Sequence, residues 1–201
     1  MMLRQLVLSL LLVLPTIGLP ARSPLAILAP YPEISKAAAD SCDAKVQLLE
    51  AYAGPGTRQT SLSEEELNSY FALVLSPHYH PSLKSLLLTF KDGRVVAVAS
   101  IDFDRLNFSS TQFLNGLMRS LLTGVHTLMV SGDAVSGKGK ANFNLEESRF
   151  DAVALPNLLV SEIISTVGLK QKPPFDPMQP SALPYHIQKV DVRSGYIVLY
   201  Q

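Results

Sequence analysis

At 201 residues the chain is long enough for one ordinary domain with a sizeable core. Apolar residues make up 47% and charged residues 17%, a balance that excludes an intrinsically disordered chain. Lys plus Arg number 17 and Asp plus Glu 17, so no global basic field draws nucleic acid, and no nucleic-acid partner is expected.

The N-terminus has the layout of a secretory signal peptide. Arg4 gives a short charged start, Leu6 to Leu19 (LVLSLLLVLPTIGL) an apolar run, and PARS a small-residue exit. The run is short for a bilayer span, which takes about 20 apolar residues. Residues 1–21 are therefore expected to be cut after Ala21, with an uncleaved anchor as the alternative, and the protein to be exported to the periplasm or another extracytoplasmic part of the envelope. Cutting removes Arg4 and no acid, leaving the mature chain with acidic residues in slight excess. Cys42 is the sole cysteine, which rules out an intramolecular disulfide and suits a bacterial envelope. Its distance from the apolar run and its Ala38-Ala39-Asp40-Ser41 flank argue against a lipoprotein cysteine, so it reads as a half-buried structural thiol.

Residues 22–33, with Pro24, Pro30 and Pro32, read as an extended tether, and residues 34–201 as a single α+β domain. Ile34 to Tyr52 is rich in helix formers and is stopped by Ala53-Gly54-Pro55-Gly56. In SLSEEELNSYF, Ser63 and Glu66 have capping-box spacing, Leu62 can staple on Leu67, and Glu64, Glu65 and Glu66 meet the positive end of the helix dipole. Leu67, Tyr70, Phe71, Val74 and Leu75 then form one apolar stripe. After PHYHP the period changes to two: Leu86, Leu88 and Phe90 lead into an Asp92-Gly93 turn, with RVVAVASIDFD as the return strand. Both faces of that hairpin are apolar near the turn, as in a sheet covered on two sides.

Asn107 to Leu122 predicts a helix with Phe113, Leu117 and Leu121 on one face. Strands are expected over Val125–Asp133 and Lys138–Val153, joined by a turn at Ala134–Gly137 (AVSG). A helix follows over Leu155–Val167 with Leu158, Leu159, Ile163 and Ile164 inward, then a proline-rich loop, then a hairpin over Ile187–Tyr200 turning at Arg193-Ser194-Gly195. The order predicts an α+β fold with an antiparallel sheet of hairpins packed on amphipathic helices.

No catalytic constellation stands out. His78 and His80 in PHYHP are too few for a metal site, which takes three or four ligands. Asp102 and Asp104 read as a solvated strand face or loop entry, and Ser131-Gly132-Asp133 and SGKGK (Ser136 to Lys140) as turns without a nucleophile or phosphate motif. Asn107-Phe108-Ser109 is an accidental sequon. No catalytic residue, metal or cofactor is expected.

The segments SLSEEELNSYF, LKSLLLTFKDGRVVAVASIDF, ALPNLLVSEII and LPYHIQKVDVRSGYIVL recur in that order in small bacterial extracytoplasmic lipid-binding proteins. From about Ser61 to Tyr200 the chain resembles this group, akin to tubular lipid-binding domains, in which a half-barrel wraps a long helix; Asn107–Leu122 and PHYHP have no counterpart there. The resemblance implies a strongly curved sheet, an apolar ligand in the envelope, a possible membrane surface as partner, no chemistry of its own, and an Asn68 that ties the helix to a strand edge. An apolar groove lined by Leu67, Phe71, Leu75, Leu88, Phe113, Leu117, Leu121, Leu159 and Ile163 is the expected site, against the alternative of an envelope scaffold or adaptor in which these residues are ordinary core.

Overall fold

The computed structural model describes residues 33–52, 57–106, 123–151, 153–172, 174, 176 and 178–201. The expected signal segment, nearly all of the tether, the 53–56 breaker and the helix over 107–122 lie outside the described residues, as does the sequon. The described elements are α+β with antiparallel sheets: helices α1 (Lys36–Glu50), α2 (Glu64–Tyr70) and α3 (Asn157–Lys170), and strands β1 (Gln59–Ser63), β2 (Leu83–Lys91), β3 (Arg94–Asp102), β4 (Val125–Gly137), β5 (Lys140–Phe150), β6 (Val153–Ala154), β7 (Ser181–Ala182), β8 (Lys189–Arg193) and β9 (Tyr196–Tyr200). A small sheet runs β1-β9-β8. A larger open one runs β2-β3-β4-β5-β6, with β7 on the outer side of β5.

The capping box forms as the sequence predicts. The Ser63 hydroxyl accepts from the Glu66 N–H at 3.1 Å, and the Glu66 carboxylate accepts from the Ser63 N–H at 2.8 Å. Leu62 and Leu67, the staple pair, are both buried in the core. The glutamates do more than face the helix dipole. Glu65 accepts from Ser35, the N-cap of α1, while Glu66 accepts from Ser41 and from Lys45 on α1. Burial alone would raise the Glu66 carboxyl, but Lys45, Ser41 and Ser63 hold it below the usual carboxylate range.

Glu64 and Asn68, one turn apart, close the free edge of β2. The Asn68 side chain donates to the Leu88 carbonyl at 2.8 Å and accepts from the Leu88 N–H at 2.7 Å. Glu64 accepts from the Phe90 N–H at 2.8 Å, and the Gly195 N–H donates to the Phe90 carbonyl at 3.1 Å. The outward backbone groups of both strand residues are thereby paired, as an edge buried away from water demands. Asn68 thus ties α2 to a strand edge.

Behind this edge the core side of the large sheet carries Leu86, Leu88 and Phe90 beside Val95 and Ala97, then Leu128, Val130 and Leu145, all buried. Within β4–β5, Glu146 is the extra residue of a bulge opposite Gly132, and its carboxylate reaches Arg94. A Cβ on Gly132 would lie 1.7 Å from the Asn144 carbonyl oxygen, so only glycine permits this approach. The small sheet is sewn to the tips of the large one. Gly93 donates to Val192 O and accepts from Ala134 N–H, and the Ser136 hydroxyl both donates to Val190 O and accepts from Val190 N–H at 2.7 Å.

Several expectations are corrected. Residues 59–63, for which the sequence predicts no element, form β1, paired to β9, because their backbone meets the open edge of the C-terminal hairpin. The β4–β5 turn falls at Lys138-Gly139, both at positive φ, rather than at Ala134–Gly137; Ser131, Gly132, Asp133 and Ser136 are strand residues. The apolar stripe after Leu67 changes from α-helix to a π-turn at Phe71–Leu75 and a 3-10 turn at Ser76–His78, ahead of Pro81. In α3 the inward residues are Val160, Ile163, Ile164 and Val167, while Leu158 is 70% exposed. The Cys42 thiol is fully rather than half buried, and burial pushes its pKa up to about 12.

Two substitutions test this account. Asn68→Ala leaves the buried Leu88 N–H and carbonyl unpaired and is expected to lower the unfolding free energy by about 3 kcal/mol in urea titration. A loss below about 1 kcal/mol would mean that the edge does not depend on Asn68. Gly132→Ala is expected to cost more than about 2 kcal/mol, because the Asn144 carbonyl that it would strike is strand backbone.

Candidate functional site

Of the nine residues expected to line an apolar groove, Leu67, Phe71, Leu75, Leu88 and Ile163 are buried in one contiguous core cluster, and Leu159 packs on its margin. Phe113, Leu117 and Leu121 lie outside the described residues. The Asn68–Leu88 pair of bonds sets the α2 stripe against β2, so Leu67, Phe71 and Leu88 belong to one apolar interior. Ile163 and Leu159 enter from α3.

Tyr79, the central residue of PHYHP, packs against this interior, and its hydroxyl is buried with no hydrogen-bond partner among the described residues. Burial, with Tyr70 nearby, drives its pKa well above the ordinary phenol value. A buried hydroxyl without a partner costs about 1–3 kcal/mol, which makes it an exception worth explaining. Sequence reasoning noted the flanking His78 and His80 and passed over Tyr79, since nothing in a one-dimensional pattern marks a hydroxyl that folding leaves unpaired. The interior has a second such atom, Gln201 Oε1, although Gln201 Nε2 donates to Leu49 O and Tyr185 O. The Tyr185 hydroxyl donates to Glu50 at 2.9 Å.

The other face of the large sheet is also partly apolar. Leu87, Val98 and Met129 lie side by side across β2, β3 and β4, with Val96 in the next row, and all four are half-buried. Thr89, Ser131, Glu147 and Arg149 border the strip.

The remaining polar motifs have local partners. His80 Nδ1 sits 2.9 Å from the Ser82 hydroxyl, and the His80 N–H donates to buried Gln171, whose amide donates to Val167 O. Asp102 ends β3 and joins Lys84 and Arg105, each at 3.1 Å, while Asp104 stands on the following 3-10 turn (Phe103–Arg105), so the two acids mark the exit from the strand into a loop. Among the described residues no three His, Cys, Asp or Glu side chains converge as metal ligands. No described helix is long and apolar enough to cross a membrane.

Sequence reasoning also missed a pairing of His126 with Asp151. Asp151, at φ 47° after β5, donates its backbone N–H to the Thr127 carbonyl at 2.9 Å and accepts from the Thr127 N–H with its carboxylate at 2.8 Å. Its other oxygen lies 2.5 Å from His126 Nδ1, while His126 Nε2 lies 2.7 Å from the Thr123 carbonyl. The ring packs on Phe150 and Phe103, with centroids at 4.7 and 5.7 Å. Both ring nitrogens face acceptors, so only the imidazolium satisfies both bonds, and the carbonyl at Nε2 takes the position that a substrate proton would need. The pairing is a clasp between the start of β4 and the end of β5.

No family model matches the chain, and no curated protein or solved structure matches it.

The clasp gives a signed pH dependence. The bond to Asp151 raises the His126 pKa, assisted by the Thr123 carbonyl, so its contribution is complete below the free imidazole value of about 6.5 and is lost as pH rises through the raised folded value. The Thr127 N–H and then His126 lower the Asp151 pKa, so that contribution holds above about 3.9 and is lost as pH falls through the lowered folded value. The stability difference between wild type and His126→Gln is expected to peak at mildly acidic pH and shrink above neutrality. A difference that stays flat across urea titrations from acid to alkaline pH would rule the clasp out.

Proposed function

We propose that this protein is an exported, non-enzymatic binder of a lipid or another apolar molecule in the cell envelope, holding the apolar part between α2, α3 and the large sheet. The observation that carries the reading is the buried Tyr79 hydroxyl, without a hydrogen-bond partner among the described residues, against the apolar cluster of Leu67, Phe71, Leu75 and Leu88. A ligand with a polar head at Tyr79 and a tail along Leu67, Phe71, Leu75 and Leu88 satisfies that hydroxyl and explains why a tyrosine stands where phenylalanine would pack without cost. The reading takes the large sheet as curved around the ligand, a bend that the Gly132–Glu146 bulge promotes. Export rests on the leader-like residues 1–21.

The alternative, an envelope scaffold with a filled core, draws support from two facts. Leu67, Phe71, Leu75 and Leu88 are each no more than 2% exposed. The outer edge of β5 between its pairings with β7 and β6 has no strand partner among the described residues, which leaves a place for a protein partner's strand.

Native mass spectrometry on protein purified from a membrane-containing host separates the two readings. A bound species of lipid mass is expected with wild type. It is expected to be lost in Tyr79→Phe, whose thermal midpoint should equal or exceed that of delipidated wild type because in the ligand-free protein the substitution removes only an unpaired hydroxyl. A clean apo mass, with no uptake of added phospholipid, would favour the scaffold. A charged residue at Phe71 is unsuitable for this test, since Phe71 is fully buried and its loss would unfold the core.

A further inference from the structure

Cationic side chains gather where α3 ends. Lys170 closes the helix and Lys172 follows buried Gln171, whose side chain pins the PHYHP loop to this end by accepting from the His80 N–H. His80 feels its surroundings directly. The His80 backbone is bonded to Gln171, between Lys170 and Lys172 in the chain; burial lowers the His80 pKa first, and the charges of Lys170, Lys172 and Arg105 lower it further. Lys84 adds a fourth cation through Asp102, which it shares with Arg105. The carboxylates of these segments are Asp102, Asp104 and Asp176, the last bonded to Ser165 of α3, against the four cations Lys84, Arg105, Lys170 and Lys172, so the region holds an excess of positive charge in a chain whose formal net charge is +0. Lys170 and Lys172 have no ion-pair partner among the described residues. Beside them Leu169 is 56% exposed at the end of a helix whose other large apolar residues, apart from Leu158, point inward or pack at the core margin.

An exposed leucine followed by two lysines without an ion-pair partner among the described residues, where a helix ends, has the chemistry of a peripheral membrane contact. We propose that this end of the molecule docks on an anionic lipid bilayer, with Lys170, Lys172 and Arg105 against headgroup phosphates and Leu169 entering the headgroup layer. The contact does not depend on what the interior holds, so it stands or falls apart from the carrier reading.

The test is co-sedimentation of the purified chain with vesicles of phosphatidylcholine alone and of equimolar phosphatidylcholine and phosphatidylglycerol. Binding is expected only to the anionic vesicles, and raising the salt should release it. The double variant Lys170→Ala/Lys172→Ala is expected to partition about thirty-fold more weakly. The control Lys91→Ala/Lys140→Ala, which removes the same charge beside the turns at the opposite end of the sheet, should bind as wild type does. Equal binding to both vesicle types, absence of binding to either, salt-insensitive binding, or an equal loss in the control would each overturn the proposal.

Discussion

The structure depends on how the outer edge of β2 is closed. A strand edge that faces a core must find partners for its N–H and carbonyl groups, and at Leu88 and Phe90 three of the four come from side chains of a seven-residue helix, the Gly195 N–H serving the Phe90 carbonyl. The carboxamide of Asn68 suits the task because it carries a donor and an acceptor in the geometry of a peptide group. Asp could accept from Leu88 N–H but not donate to its carbonyl, and Leu could do neither. Once Asn68 and Glu64 are seated, the register of α2 on β2 is set, and Leu67 and Phe71 are carried into the core with it. The three glutamates then bind three different places, the β2 edge, the α1 cap and the α1 lysine, so a stretch that looks like simple dipole chemistry locks two helices and a sheet together.

The same device recurs at the other seams. Ser136 replaces a strand partner for Val190, Asp151 for Thr127, Gln171 for His80, and Gln201 reaches both Leu49 and Tyr185. These junctions between separate elements are thus closed by polar side chains that supply what the adjoining ladder lacks. This explains how two open sheets and short helices hold together with one cysteine and modest charge, and why the few polar residues of the core, such as Asn68 and Gln171, are bonded ones. Against that background an unbonded hydroxyl at Tyr79 is an exception within the molecule's own pattern.

How much of this was legible in the sequence follows from the range of each interaction. The capping box, the Asp92-Gly93 turn and the final hairpin are local, so spacing alone announced them. Strand β1 was not announced, because QTSLS acquires its strand character from pairing with β9, far along the chain. The β4–β5 turn was misplaced because Ser-Gly and Gly-Lys-Gly are both turn-forming runs, and only the pairing with β5 decides that Gly132 and Ser136 stay in the strand. Periodicity placed Leu158 inside α3 because it counts apolar residues without knowing which side faces the sheet. The candidate residues on α2 and β2 lie in one buried apolar cluster, yet spacing cannot say whether such a surface encloses a ligand or itself.

The edge closure also constrains how any ligand could enter. Moving the first turn of α2 off β2 would strip Leu88 and Phe90 of their backbone partners, at about 1–3 kcal/mol for each buried group left unpaired. The segment that can yield at lower cost is the next one. Over Phe71–Leu75 and Ser76–His78 the hydrogen bonding passes from α to π to 3-10, forms that hold less firmly than a regular helix and often mark functional positions. This stretch carries Phe71 and Leu75 on the core side and runs directly into Tyr79. If the interior exchanges an apolar molecule, the rigid pins at Glu64 and Asn68 and the irregular turns beyond them place the entry at the Tyr79 end of the helix, with the polar head left at the unpaired hydroxyl and the α2 cap undisturbed.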